Sequence, residues 1–242
     1  MTAIFLRSFL ILALAAGSAT AQTALRPNPA RFINEISNFG KQEPEKGGIV
    51  FTGSSSIRLW SSLKEDFPGL PVVNRGFGGA VSNDLIVYFE TVVARHEPKL
   101  LVTYSGGNDL HEKLSVEEAF ADYTKFLGMA HERFPQTHII LTSVKIAPRR
   151  ADQIPRVHAL NQRLEAWCAG KSWMRFVDST SYLADPQAAP DPAYFIDDNL
   201  HLNQAGYAKW KEILEPVVRE EWEKVTGTSK IERSTSNVEM KN

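Results

Sequence analysis

Cysteine is nearly absent from this sequence. Cys168 stands alone among 242 residues, so no disulfide can form within the chain, even in an oxidising compartment. Its setting, LNQRLEAWCAG, puts it on the apolar side of a predicted helix, where a free thiol packs as a small hydrophobe. No electropositive neighbours there would turn it into a nucleophile. Charge of one sign is also scarce. The 27 Lys and Arg nearly balance the 28 Asp and Glu, for a formal net charge of −1. That gives no electrostatic reason to expect a nucleic-acid partner, and the interspersed charges read as a solvated surface. A run of apolar residues that could cross a bilayer is missing too. The stretch from Phe9 to Ala16 falls far short of the ~20 residues a spanning helix needs.

What is present points to export and to one globular unit. The start, MTAIFLRSFLILALAAGSATAQ, has an early Arg7, a short apolar core and then Ala19-Thr20-Ala21. This is the pattern of a secretory leader, predicted to span residues 1–21 and to be cleaved before Gln22. No cysteine follows the apolar core to accept a lipid, so the mature chain is expected to be secreted or periplasmic, with no membrane span. With 43% hydrophobic and 23% charged residues, the remainder has the apolar mass for a sizeable core, and residues 22–226 are assigned to one domain. The tail, residues 227–242, is polar and aperiodic and is expected to be disordered.

Strand-like and helix-like segments alternate along the domain. Short β-rich runs occur at GIVFT (48–52), PVVNR (71–75), KLLVTY (99–104), THIILTS (137–143) and MRFVDS (174–179). Several are almost continuously apolar, as strands buried on both faces must be. Amphipathic segments lie at Ile57–Asp66, Asn83–His96, Val116–Phe134 and Pro155–Ala169, and a last one runs from Gln204 to about Val225, with a bend expected at Pro216. The alternation predicts a parallel sheet covered on both faces by helices. Ligands in such sheets bind beyond the carboxyl ends of the strands. The segments at those ends are GSSS (53–56), RGFGGAVSND (75–84) and SGGNDL (105–110), joined by FIDDNLHLNQAGY (195–207) after the fifth strand and a loop.

Rival chemistries fit these segments poorly. GSSSIRLW lacks the spacing and lysine of a phosphate-binding loop, and GFGGAV has Val81 where a dinucleotide fold has its third small residue. No H-E-x-x-H and no Cys/His cluster supplies a metal site, since Asp198 with His201 offers only two ligands. Acyl transfer fits better. It requires a nucleophile, a base, a group that orients the base, and donors for the oxyanion. In DNLH, Asp198 is placed to hold His201 in the tautomer whose second nitrogen is free to act as base. A serine at the end of the first strand is the candidate nucleophile, with the Gly79 N–H and the Asn108 amide as candidate oxyanion donors. Asp197, and more weakly Asp178, compete with Asp198 as orienter. Asn108 has the alternative of merely shaping its turn, and Asp109 that of capping a helix.

These four segments resemble the SGNH (GDSL-type) hydrolases, whose blocks supply Ser, Gly, Asn and His in that chain order. The resemblance spans roughly residues 47–215. It places the nucleophile at Ser55 within Gly53-Ser54-Ser55, the oxyanion glycine at Gly79 in NRGFGG, the amide at Asn108 in Gly106-Gly107-Asn108, and the orienter and base at Asp198 and His201. Each motif is short, but four in order at strand ends are specific. One departure stands out: Ser54 replaces the aspartate usual in the first block, which leaves the turn and the subfamily open. The α/β-hydrolase elbow G-x-S-x-G fails, because its fifth position is Ile57. The resemblance implies a three-layer α/β/α flavodoxin-like domain with a five-stranded parallel sheet. It also implies a serine esterase or acylhydrolase that needs no metal or cofactor, with an oxyanion hole of Ser55, Gly79 and Asn108.

The expected partner is a small-molecule or glycan ester. The two long irregular stretches, KIAPRRADQIP and SYLADPQAAPDPAYFIDD, are polar and carry no amphipathic lid, which favours short acyl groups, carbohydrate O-acetyl among them. A lipid acylhydrolase and a non-catalytic glycan-binding protein on the same fold are the alternatives. Arg149 and Arg150, in the first of these stretches, could contact an acidic or hydroxyl-rich leaving group, but solvation is the expected state.

Overall fold

A computed structural model describes residues 25–185 and 187–227, so the expected leader and nearly all of the tail lie outside the described residues. The sheet follows from five short apolar runs. β1 (Ile49–Gly53) and β3 (Leu100–Tyr104) are buried at every position, as strands covered on both faces must be. β2 (Val72–Gly76), β4 (His138–Thr142) and β5 (Met174–Val177) complete an all-parallel sheet in the order β2-β1-β3-β4-β5. β5 is shorter than its sequence suggests and partly exposed, which fits a strand at the sheet edge.

Alternation along each strand separates two apolar layers. Val50, Val73, Leu101 and Ile139 point to one face and pack with α1 (Ile33–Lys41), α7 (Val116–Arg133) and α8 (Ile154–Cys168). Ile49, Phe51, Leu100, Val102 and Ile140 point to the other, under α9 (Gln204–Thr226). This is the expected three-layer α/β/α arrangement. Cys168 is buried, and burial pushes its thiol up to about 11, so it packs as a hydrophobe.

Three helical segments differ from expectation. α1 was not legible, because only Ile36 of its nine residues is buried, beside Phe32 of the proline-led turn directly before it. The stretch 57–66 forms two single turns, α2 (Ser55–Arg58) and α3 (Leu63–Asp66), instead of one helix. The Ile57 carbonyl accepts a hydrogen bond from Asn74 Nδ2 at 2.7 Å, and the Trp60 indole donates to Asp66 at 2.7 Å, so the chain is drawn inward between them. The stretch 83–96 likewise divides at Tyr88 into α4 (Ser82–Val87) and α5 (Phe89–Val92). α7 begins with a reciprocal cap between Ser115 and Glu118, and α9 runs on through Pro216 to Thr226.

The strand order reverses at β1, which lies between β2 and β3. Gly53 at its end is paired with Gly76 on one side and Tyr104 on the other. The loops beyond these ends are tied together. After β3 comes α6 (Gly107–His111), in which Asp109 accepts a hydrogen bond from the Ser82 N–H at 2.9 Å. Asp109 is therefore no helix cap: Gly106 holds that position.

Burial raises the Asp109 pKa to about 6, against the hydrogen bonds from Ser82, and its second oxygen is buried with no partner. An unfolded aspartate ionises near ~3.9, so between that pH and about 6 rising pH favours the unfolded chain. Asp109→Asn keeps an oxygen for Ser82 and removes that dependence. Its stability relative to the parent should therefore climb by up to a few kcal/mol as pH rises from about 3.5 to about 7, read as a growing difference in Tm. A difference that stays flat with pH would contradict this account.

Candidate active site

The serine turn is set by backbone geometry at the end of β1. Gly53 has φ +140°, and a Cβ there would sit 2.0 Å from the Tyr104 carbonyl oxygen. Only glycine allows that approach, and it lets the Ser54 N–H donate to the same oxygen at 3.2 Å. Ser54 occupies the N-cap of α2 in extended conformation without a side-chain capping bond, so serine in place of the usual aspartate still fills the cap position. Ser54 and Ser56 are buried, at 5% and 3% exposure, while Ser55 opens α2 and is half-buried. The Ser56 carbonyl accepts from the Tyr207 hydroxyl of α9 at 3.0 Å, which holds the turn from behind.

Asp198 and His201 are brought to this serine from the far end of the chain. The Asp198 Oδ1 accepts from the backbone N–H groups of Leu200 and His201, both at 2.9 Å, while Oδ2 lies 2.5 Å from His201 Nδ1. Partial burial alone would raise the Asp198 pKa, but these hydrogen bonds prevail and hold it down at about 2. A carboxylate so placed keeps the proton on Nδ1. His201 Nε2 is then free as an acceptor, 3.0 Å from Ser55 Oγ. The turn is anchored on both sides: the His201 carbonyl accepts from Ile196 N–H at 2.9 Å, and the Leu200 carbonyl accepts from Lys145 Nζ at 2.5 Å.

The competing carboxylates are elsewhere. Asp197 is exposed, and Asp178 is engaged with Ser143, Thr180 and Ser181. His96 lies buried against Arg75, His138 pairs with Glu221, and His131 stacks on Trp173. Among the described residues no group of three or more His, Cys, Asp or Glu side chains is arranged to hold a metal.

Three groups of donors remain. The Ser55 N–H, at the first position of α2, and the Gly79 N–H have no acceptor among the described residues. Gly79 has φ +84°, a left-handed conformation that glycine adopts without strain, and is exposed. Asn108 in α6 donates one amide N–H to the Ala80 carbonyl at 3.0 Å, which ties it to the Gly79 loop and leaves its second N–H free.

Arg150, expected mainly in solvent with a leaving-group contact as the alternative, is instead tied to the site. It is half-buried, with Nη1 donating to the Gly107 carbonyl at 2.9 Å and Nη2 to Asn108 Oδ1 at 3.0 Å. The guanidinium thus fixes which way the Asn108 amide faces and polarises it towards donation. Lys145, at the end of β4, was not singled out. Burial, seconded by the charge on Arg150, lowers its pKa to about 7. For Lys145 the only advance signal was its position soon after a strand end, and for Arg150 its place in the irregular loop that follows.

Together the groups could carry acyl transfer: a serine hydroxyl on an oriented imidazole, beside N–H donors with no competing acceptor.

Solved structures share the architecture. A candidate platelet activating factor from Streptococcus pneumonia superposes with a TM-score of 0.69 at 19% identity, covering 78% of this chain and 92% of that one. A candidate acylhydrolase from Bacteroides fragilis gives 0.66 at 24%, covering 80% and 96%. A GDSL-like lipase from Bacteroides thetaiotaomicron gives 0.66 at 24%, covering 80% and 98%. At these identities the likeness is one of fold. Comparison with curated proteins finds no match. The sequence itself carries the assignment further: residues 48–209, two thirds of the chain and all of the strand-end segments described above, match the family model, and the chain belongs to the GDSL-like lipase/acylhydrolase family.

Proposed function

We propose that the protein is a serine esterase of this family, acting on carboxylic esters with short acyl groups, and that it is exported. The observation that carries the reading is the continuous chain Asp198 Oδ2–His201 Nδ1 and His201 Nε2–Ser55 Oγ, at 2.5 and 3.0 Å. In this mechanism Ser55 Oγ attacks the ester carbonyl carbon while its proton passes to His201 Nε2. The carbonyl electron pair moves onto oxygen, and that oxyanion is held by the N–H groups of Ser55 and Gly79 and by the Asn108 amide. On collapse the alcohol leaves with the proton from His201, and an acyl-serine ester remains. Water then attacks it, His201 takes the water's proton, and the Ser55 oxygen recovers it as the carboxylic acid departs.

Export rests on the leader-like residues 1–21. No helix among the described residues is long and apolar enough to cross a membrane. The short-acyl preference is supported by the loops around the site. Among the described residues, the stretch after β4 forms the turn Pro148–Gln153 before α8, and the stretch after β5 forms the turns Ser181–Leu183 and Pro192–Tyr194 with the isolated bridges Ala184–Pro190 and Phe195–Leu202, none of them an amphipathic lid. A long acyl chain needs apolar walls, since each buried methylene contributes only ~0.8 kcal/mol.

Ser55→Ala should lower ester hydrolysis by on the order of 10⁴-fold and abolish labelling by a fluorophosphonate, because nothing else supplies the nucleophile. Ser54→Ala and Ser56→Ala should keep most of both. Absence of labelling in the parent protein would instead favour a non-catalytic binding protein on this fold.

Acidification should reduce kcat/KM as His201 takes up a proton and ceases to be a base. Asp198, with its pKa near 2, is ionised throughout, so the acid limb of the log plot should have a slope of one. A slope of two would mean that a second group has to be deprotonated, and would refute the assignment of Asp198 as a standing charge.

On p-nitrophenyl esters kcat/KM should peak at acetate or another short acyl group and fall with chain length. A maximum at about twelve carbons or more would favour a lipid acylhydrolase, because added methylenes would then be finding apolar surface.

A further inference from the structure

Beside the serine site lies a cavity of about 520 Å³ whose walls are dominated by cations. Lys113, Arg149, Arg150 and Arg156 all line it, in a chain whose formal net charge is only −1. None of the four forms an ion pair with a carboxylate among the described residues. Arg150 donates to the Gly107 carbonyl and the Asn108 amide oxygen, and Arg156 to the carbonyls of Leu110 and Leu114. Their positive charge is therefore not cancelled by direct contacts. Asp152 on the wall and Glu112 nearby offset part of it.

A second feature points to a ligand. Gln153 also lines this cavity, is only 8% exposed, and its Oε1 is buried without a hydrogen-bond partner. A buried acceptor left without a donor is destabilising, and the amide, held only by a 3.4 Å contact from Nε2 to His111 Nδ1, need only turn towards the cavity for a ligand hydroxyl to satisfy that oxygen.

The cavity is coupled to the site at two points. Arg150 reaches from its wall to Asn108, and Leu200, adjacent in sequence to His201, forms another part of the wall. A substrate whose ester carbonyl lies at Ser55 would place the remainder of a compact molecule here.

Resting on the esterase reading, we propose that this cavity binds an anionic, hydroxyl-bearing portion of the substrate, a carboxylate or a phosphate. The ester is then the acylated derivative of an acidic polyol or sugar. The anion faces Lys113, Arg149 and Arg156, and a hydroxyl donates to Gln153. Arg150 belongs to both halves of the site, since the same guanidinium holds Asn108.

Matched pairs of acetyl esters test this: acetylated methyl glucuronoside against acetylated methyl glucoside, and acetylated glycerol phosphate against acetylated glycerol. In at least one pair kcat/KM for the anionic member should exceed that of the neutral one by about tenfold at low salt. The pair that responds tells carboxylate from phosphate. Added sodium chloride should shrink the ratio by screening. The double variant Lys113→Gln/Arg149→Gln, at two exposed positions, should bring it towards one. Hydrolysis of neutral and anionic esters at equal rates overturns this inference and leaves the esterase intact. A preference unchanged in the double variant also overturns it, by placing the anion elsewhere. Failure to cleave any ester, neutral or charged, overturns the esterase reading and this one with it.

Discussion

The site depends on how closely the end of β1 can approach the end of β3. At Gly53 the two backbones come so near that a methyl group has no room beside the Tyr104 carbonyl, and the hydrogen bond from Ser54 to that carbonyl forms only because of it. The chain leaves the sheet there and enters α2, so Ser55 stands beyond the strand ends with its N–H unpaired. In-register pairing of Gly53 with Gly76 and Tyr104 sets the following loops alongside, and the bonds Asn108–Ala80 and Asp109–Ser82 lock one to the other. The candidate nucleophile and oxyanion donors are thereby positioned by sheet register and not by loop packing alone. A residue with a side chain at position 53 would disturb all of them together.

The same side-chain types serve opposite ends within this small volume, and their surroundings decide which. Asp198 keeps its charge because three N–H groups point at it in a partly solvated turn. Asp109, fully enclosed and holding one backbone N–H on one oxygen, is pushed towards its neutral form. Lys145 shows the corresponding behaviour for a cation: burial and the nearby Arg150 disfavour its charge, and Asp198 favours it. Its bond to the Leu200 carbonyl sits directly beneath the turn that carries His201. The imidazole is thus held by a carboxylate on its ring and, through the backbone, by the Lys145 amino group.

The sequence made the strands legible because burial on both faces leaves little choice of residue, as in Leu100–Tyr104. It made Ser55, Asp198 and His201 legible because they fall within short blocks in a fixed order. It did not reveal α1 or the breaks at Leu59 and Tyr88. Those depend on tertiary bonds such as Asn74 to the Ile57 carbonyl and Tyr88 to the Pro29 carbonyl, which no local pattern encodes. The hold of Arg150 on Asn108 was not legible for the same reason. An arginine in a polar, proline-containing loop reads as solvated, and only the folded chain shows its guanidinium on Asn108. The expected leader and all but the first residue of the expected tail lie outside the described residues and rest on the sequence alone.

These features bear on how chemistry and selectivity are divided. On the proposed esterase reading the imidazole–serine pair does not itself distinguish one ester from another, so discrimination has to come from what surrounds it. Near Asn108 that surrounding is charged. Arg150 orients the amide with one nitrogen and helps line the cationic cavity with the rest of its side chain, so a ligand that attracts the guanidinium also acts on the donor that faces the developing oxyanion. A neutral acyl chain in the same cavity would strip water from several cations and return only the small gain of methylene burial. An anion would exchange that water for charge-assisted hydrogen bonds, which are roughly twice as strong as neutral ones. On the proposed reading, this exchange is what favours an anionic leaving group over a lipid chain at the site.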